Sequence, residues 1–128
     1  MNQETMEKSR ELAEQLAHTL LAQGVQKGAR ITLALGNSIE YVVRAMGIMK
    51  SGAILNPIPP IYRAHELRFI LNLLESRVLV IPETFRAFGY VEMVAGFRSE
   101  VPRLEHVFVA RGTPGPGMRS FEELTAIA

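Results

Sequence analysis

No cysteine, no tryptophan and no aspartate occurs among the 128 residues of this chain. The first absence excludes disulfides, thiolate metal centres and cysteine nucleophiles, and it is compatible with a reducing cytoplasm, the location expected here. The third is more restrictive. The short carboxylate that binds Mg²⁺, orients a catalytic histidine or closes a calcium loop is missing, and all 13 acidic residues are glutamate. The three histidines, His18, His65 and His106, are scattered, so a zinc site would have to be assembled from distant parts of the chain. No apolar run approaches the ~18 residues that a membrane span requires, and no stretch reads as a signal peptide. A formal charge of +1 with no cluster of Lys or Arg gives no electrostatic footprint for nucleic acid. A self-sufficient active site is hard to build from this inventory, which suits a scaffold or a piece of one.

What is present is ordinary globular material. Hydrophobic residues make up 48% and charged residues 21%, a balance that argues against disorder and for one core-forming unit over residues 1–128. Residues 3–23 lack Gly and Pro and place Met6, Leu12, Ala13, Leu16 and Leu20 at helical spacing opposite a charged side, with Gly24 as the stop. Arg30 to Leu35 reads as a buried strand. Asn37 and Glu40 form a capping-box pair at the start of a second helix, whose apolar stripe is Ile39, Val42, Val43, Met46 and Met49 and which Ser51-Gly52 ends. Ala53 to Ile58 reads as a strand confined to an edge by Pro57, Pro59 and Pro60.

A third helix is expected over 64–76, with Leu67, Ile70, Leu71 and Leu74 on one side. A doubly buried strand follows over Arg77–Ile81, then a fourth helix over 87–100 with Val91, Val94 and Phe97 inward, and a fourth strand over His106–Ala110. A Gly/Pro-rich loop at 111–119 then leads to a short helix over 120–127 capped by Ser120 and Glu123. Strands alternating with helices imply right-handed crossovers. The fold class is therefore α/β: three layers, a mainly parallel sheet of about four strands in the order 2-1-3-4, and helices on both faces.

Ligands of parallel sheets bind at the carboxyl ends of the strands, so the turns after Leu35, Ile58, Ile81 and Ala110 are the places to search. The first contains Gly36 alone of the glycines a dinucleotide turn requires, and Asn37 and Ser38 read as helix caps. Gly112 to Gly117 has the look of a phosphate cradle, but Pro114 and Pro116 have no N–H to offer, and the segment reads as a surface linker. Glu40, Glu66, Glu83, Glu92 and Glu105 lack any partner spacing for acid–base chemistry. They read as solvated, with helical partners such as Arg63 for Glu66 and Arg44 for Glu40. Tyr62 and Arg63 follow the proline run and read as anchors or as cleft lining. By this reasoning the chain has no catalytic residue, no cofactor-binding residue and no metal ligand.

The stretch from Gly24-Val25 through Gly28, Arg30 and Ile31 to Asn37, followed by Lys50, Gly52, Ala53, Pro57 and Pro60, resembles the N-terminal region of the adenylate-forming, AMP-binding enzymes. Tyr62-Arg63, Glu66-Leu67 and Val78 to Pro82 resemble the acyl-CoA synthetase branch. Ala29 and Pro59 depart from the family's usual Asp and Asn, at positions that read as structural. The resemblance covers nearly the whole chain, yet the family's nucleotide loop, its Tyr-Gly-x-Thr-Glu turn, its Thr-Gly-Asp ribose contact and its catalytic lysine have no counterpart here.

It implies an N-terminal subdomain of a synthetase that uses ATP, Mg²⁺ and CoA to turn a carboxylic acid into acyl-AMP and then a thioester, with those cofactors held outside this chain and the chain inactive alone. Its partner would be the remainder of that synthetase. A second copy of the chain is also expected to pair through apolar surface on strands such as Val78–Ile81 and Val107–Val109, or by exchange of a terminal helix hinged at the Gly/Pro loop. The alternative is a stand-alone α/β interaction module without catalysis.

Overall fold

Twenty residues without a helix breaker wind into α1 (Gln3–Ala22). Gly24 ends it at φ +89°, where a side chain would be strained, and the Val25 N–H returns to the Leu20 carbonyl at 3.1 Å. The computed structural model describes residues 3–34 and 47–123. Ala13, Ala17 and Leu20 are buried along α1, as is Thr19, whose hydroxyl donates to the Gln15 carbonyl at 2.8 Å.

The chain continues through β1 (Arg30–Leu33), β2 (Ile54–Pro57), α2 (Ala64–Leu74), β3 (Val78–Pro82), β4 (Thr84–Phe85), β5 (Phe88–Gly89), α3 (Tyr90–Phe97), β6 (His106–Ala110) and β7 (Arg119–Ser120). The main sheet runs β2-β1-β3-β6-β7 and every pairing in it is parallel. Its first four strands follow the expected order with the proline-bearing β2 outermost, and β7 adds a fifth.

Alternation along the strands divides the core in two. Ile31, Leu33, Val78, Val80 and Phe108 pack with Leu20 of α1 and with Phe121. Leu79, Ile81, Val107 and Val109 point the other way, onto Leu67 and Leu71 of α2 and onto Tyr90, Val94 and Phe97 of α3. Helices therefore cover both faces, and β3 is buried at all five positions because it has a strand on each side and a helix layer above and below. Between β1 and the turn after α2, the buried Thr32 and Ser76 hydroxyls lie 2.7 Å apart and share a hydrogen bond.

Several expectations are corrected. The helix expected over 87–100 begins only at Tyr90. Residues 84–89 form an antiparallel hairpin instead, turning through Arg86 and Ala87 at φ 50° and 66°. Residues 98–100 continue from α3 as a 3₁₀ turn. The third helix stops at Leu74, because Glu75 adopts the left-handed conformation at φ 51°.

Ser120 is a strand residue and not a helix cap; its backbone pairs beside Val109, and its hydroxyl donates to the Glu122 carboxylate at 3.3 Å. Most of the helix expected over 120–127 lies outside the described residues, as do the Asn37–Glu40 cap, the Glu40–Arg44 pair and the stripe from Ile39 to Met46. In the helical segment 47–50 it is Ile48 that is buried, while Met49 is exposed. Strands Val78–Ile81 and Val107–Val109 offer no apolar surface for a second copy, since both are interior to the sheet and buried. The 111–119 loop lies at the surface but is not a free hinge. Arg98 donates to the Gly117 carbonyl at 2.7 Å, the Met118 N–H to the Gly115 carbonyl at 3.0 Å, and the Thr113 N–H to the Glu83 carboxylate.

Candidate functional site

The carboxyl ends of β1, β2, β3 and β6 fall at Ala34, Ile58, Glu83 and Arg111, and the parallel topology makes this rim the place for function. Glu83 is its central tie. The Glu83 carbonyl accepts the Tyr90 and Val91 N–H groups at 2.9 and 3.3 Å and so starts α3. Its carboxylate accepts the Thr113 N–H, and a Cβ on Gly112 would collide with the Glu83 Cβ, so glycine is what lets the loop close on β3. Beyond β6 the Arg111 N–H donates to the Glu122 carboxylate at 2.6 Å.

Across the rim an aromatic group holds the hairpin. The Arg63 guanidinium lies 3.8 Å over the Phe88 ring, and Phe88 meets Tyr90 edge-on with centroids 5.7 Å apart. The Tyr90 hydroxyl donates to the Tyr62 carbonyl at 2.8 Å. Burial pushes the Tyr90 phenol above its ordinary pKa, and the nearby Arg63 charge opposes that shift.

These contacts settle where the candidate residues of the sequence lie. Tyr62 and Arg63 are anchors. Glu66 caps α2 by accepting the Arg63 N–H at 3.3 Å, while the Arg63 side chain donates to the Ile61 carbonyl at 3.1 Å. His65 and His18 are exposed, and His106 is half-buried, stacked on Phe108 with centroids 5.8 Å apart. Glu105 pairs with Arg77 at 2.8 Å on the surface. Glu92 is exposed on α3. Among the described residues no group of three His, Cys, Asp or Glu side chains converges as a metal site. Gly36, Asn37, Ser38 and Glu40 lie outside the described residues.

A cleft of about 390 Å³ opens at the opposite end of the sheet, between the turn from Gly24 to Arg30, Glu75, Arg77 and Glu105. Three of its charged wall residues have ion-pair partners, Glu75 among them through Arg103 at 3.6 Å. Arg77 pairs with Glu105, and Arg30 donates to the Leu74 carbonyl at 3.1 Å. It sits at the amino ends of β1, β3 and β6, away from the rim where the topology places ligands.

The roles of Glu83 and of the Arg63–Phe88 contact were not legible beforehand, because both depend on a hairpin whose turn has none of the usual Gly or Asn. The only signal was the pair Phe85 and Phe88 flanking two residues directly after a strand ending in proline. Among the described residues the rim holds backbone in place and brings no nucleophile–base pair together, and the fold is an α/β unit whose parallel sheet positions the loops at that rim.

The chain belongs to the AMP-binding enzyme family, whose profile matches residues 2–124. It is 27% identical over 112 residues to the medium-chain fatty-acid–CoA ligase of Escherichia coli, an alignment that covers 87% of this chain and 20% of that protein. It is 33% identical over 101 residues to a medium/long-chain-fatty-acid–CoA/3-oxocholest-4-en-26-oate–CoA ligase of Mycobacterium marinum, covering 79% of this chain and 18% of that one. Among solved structures it superposes on the anthranilate CoA ligase AuaEII with a TM-score of 0.82 at 28% identity, over 92% of this chain and 22% of that chain. The acetoacetyl-CoA synthetase of Streptomyces lividans has the same TM-score and identity, over 92% of this chain and 19% of its own. The chain thus spans about a fifth of the length of these relatives.

The glycines that carried the resemblance have a structural reason. Gly24, Gly28 and Gly52 have φ of +89°, +84° and +86°, and the Gly28 N–H donates to the Gly52 carbonyl at 2.9 Å.

Proposed function

We propose that this chain serves as the N-terminal part of the large domain of a cytoplasmic, AMP-forming acyl-CoA ligase, one that activates a carboxylic acid with ATP to acyl-AMP and transfers the acyl group to CoA. The match over residues 2–124 carries the reading, and the shared fold supports it. In this reading the chain's share is positional. The sheet fixes the rim, Glu83 fixes the loop at 112–113 to it, and no residue of the chain makes or breaks a bond.

The residues described here do not fit the phosphates of ATP or its metal. Two prolines of the 112–117 loop have no N–H to give, the N–H groups of Thr113 and Met118 are committed to Glu83 and Gly115, and among the described residues no acidic cluster gathers at the rim. ATP, Mg²⁺ and CoA are therefore assigned to other parts of the ligase. The test is acid-dependent exchange of pyrophosphate into ATP. The 128-residue chain is expected to match a blank, and the protein from the uninterrupted reading frame to show exchange with a fatty or aromatic acid. Exchange by the chain alone would overturn the positional role, and a frame that closes without a Ser/Thr/Gly-rich nucleotide loop would favour a stand-alone module.

A further inference from the structure

The cleft of about 390 Å³ at the amino ends of β1, β3 and β6 carries both signs of charge, and they do not cancel. Its two carboxylates already have counterions. Glu105 pairs with Arg77 at 2.8 Å, and Glu75 pairs at 3.6 Å with Arg103, a residue outside the cleft. Two cations are left over. Arg30 is fixed by one bond from its guanidinium to the Leu74 carbonyl at 3.1 Å, which leaves its other donors open. The Lys27 ammonium has neither a hydrogen bond nor an ion pair among the described residues.

Lys27 is nevertheless not a loose surface chain. The Gly28 N–H donates to the Gly52 carbonyl at 2.9 Å and so joins the turn from Gly24 to Arg30 to the turn before β2. Gly52 has φ +86°, and the Lys27 stem occupies the place of its absent side chain, with Cγ, Cε and Cδ at 2.6, 3.3 and 3.4 Å from a would-be Cβ. The stem is thus laid across Gly52 as far as Cε, although ordering a lysine costs side-chain entropy. An ordered cation that nothing in the protein matches is suited to a charge brought from outside.

The turn adds donors of its own. The Ala29 N–H returns to the Gln26 carbonyl at 3.1 Å across Gly28 at φ +84°, the position of a type II turn that requires glycine. Neither the Gln26 N–H nor the Lys27 N–H has a backbone acceptor among the described residues. His106, half-buried and stacked on Phe108, lines the same cleft.

We propose that this cleft binds a compact, metal-free oxyanion, a phosphate group either free or on a small ester, held by Lys27, Arg30 and the N–H groups of residues 26 and 27. The chemistry follows from what is unmatched: two cations and two N–H donors, with charge-assisted hydrogen bonds to an oxyanion as the strong way to satisfy them. Because each carboxylate is paired, nothing remains to hold a metal, and Mg²⁺-bound ATP is not a candidate. The site lies at the opposite end of the sheet from the rim and does not depend on the ligase reading.

The test is an NMR titration of the isotope-labelled 128-residue chain, after circular dichroism confirms folding, at a constant ionic strength set by chloride. Inorganic phosphate is the first probe and glycerol phosphate, a plain monoester, the second. Amide shifts are expected at residues 24–30, 77 and 105–106, saturating with a Kd of about 1 mM or tighter. Lys27→Gln should weaken binding at least about fivefold, and Lys27→Arg should hold it within about twofold of the parent. Lys8→Gln, which removes the same charge from α1, should leave it unchanged. Tighter binding of phosphate would assign the site to the free anion and tighter binding of the ester to a phosphomonoester, and either result supports the site. Shifts spread over the surface, or equal weakening by Lys8→Gln and Lys27→Gln, would show diffuse charge attraction and overturn it. A titration without saturation, or a Lys27→Gln chain that binds as the parent does, would overturn it as well.

Discussion

Gly52 and Gly96 are both glycines, and their surroundings give opposite expectations. Gly52 sits at φ +86° between the helical segment 47–50 and β2, and an added Cβ would lie 2.6 Å from the Lys27 Cγ. Gly52→Val should destabilise the chain by roughly 1–2 kcal/mol, since a β-branched residue is strained there whatever Lys27 does. Gly96 lies inside α3 with nothing within 4 Å of its would-be Cβ, so Gly96→Ala should stabilise by about 0.5–1 kcal/mol through helix propensity. Thermal melts of both variants check this pair, and a Gly52→Val melt equal to the parent's would show that the turn does not need its left-handed glycine.

Tyr90 adds a pH dependence. Its phenol is raised above 10.0 mainly by burial, so the folded state favours the neutral form. The resulting stabilisation is whole below the unfolded tyrosine value of about 10 and is lost as pH climbs through the higher folded value. Tyr90→Phe should cost about 1 kcal/mol at pH 8 by losing the hydrogen bond to Tyr62, and its melting temperature should fall less steeply than the parent's above about pH 10. Identical alkaline slopes would remove Tyr90 from the account. The left-handed role of Gly52 was readable from its place after a helix, whereas the burial of Tyr90 was not, because it depends on a partner 28 residues away.

The elements divide the same way. Those that depend on local pattern were legible: α1 from its spacing, β3 and β6 from runs of aliphatics, and β2 as an edge from Pro57. The edge has a detailed reason. Ile54 and Ile58 donate to the Ala29 and Leu33 carbonyls at 2.8 and 3.0 Å, so by alternation the N–H groups that point away from the sheet belong to positions 55 and 57, and position 57 is a proline. Only Leu55 is left with an outward donor, which blunts the edge against pairing with another chain.

The hairpin and β7 were illegible because each strand is two residues long, too short to show a period. The hairpin also breaks turn chemistry. Arg86 and Ala87 both take positive φ, a two-residue turn that favours Asn-Gly. The double variant Arg86→Asn, Ala87→Gly should therefore stabilise the chain by about 1 kcal/mol and raise its melting temperature by a few degrees. A lowered melting temperature would mean that Arg86, 5.2 Å over the Phe85 ring, contributes more than its backbone strain costs.

At the scale of the molecule the strand order decides which parts open first. β3 pairs with β1 and β6, β6 pairs with β3 and β7, and both are covered on each face, so their amides can exchange only through large-scale opening. β2 has one neighbour and a partly exposed burial pattern, and the hairpin has no strand beside it among the described residues. Native-state hydrogen exchange should therefore rank Leu79 to Ile81 and Val107 to Val109 as the slowest amides and Leu55 among the fastest in the sheet. Ile54 and Asn56 should fall between, at least about tenfold faster than the β3 amides because an edge strand can detach without disrupting the rest. This ordering separates the observed sheet from one that ends at the apolar strands. If Val78–Ile81 or Val107–Val109 were an uncovered edge, half of their amides would exchange early and Leu55 would be protected. That outcome would contradict the strand order, and the rim built on it at Glu83 and Arg111 would have to be redrawn.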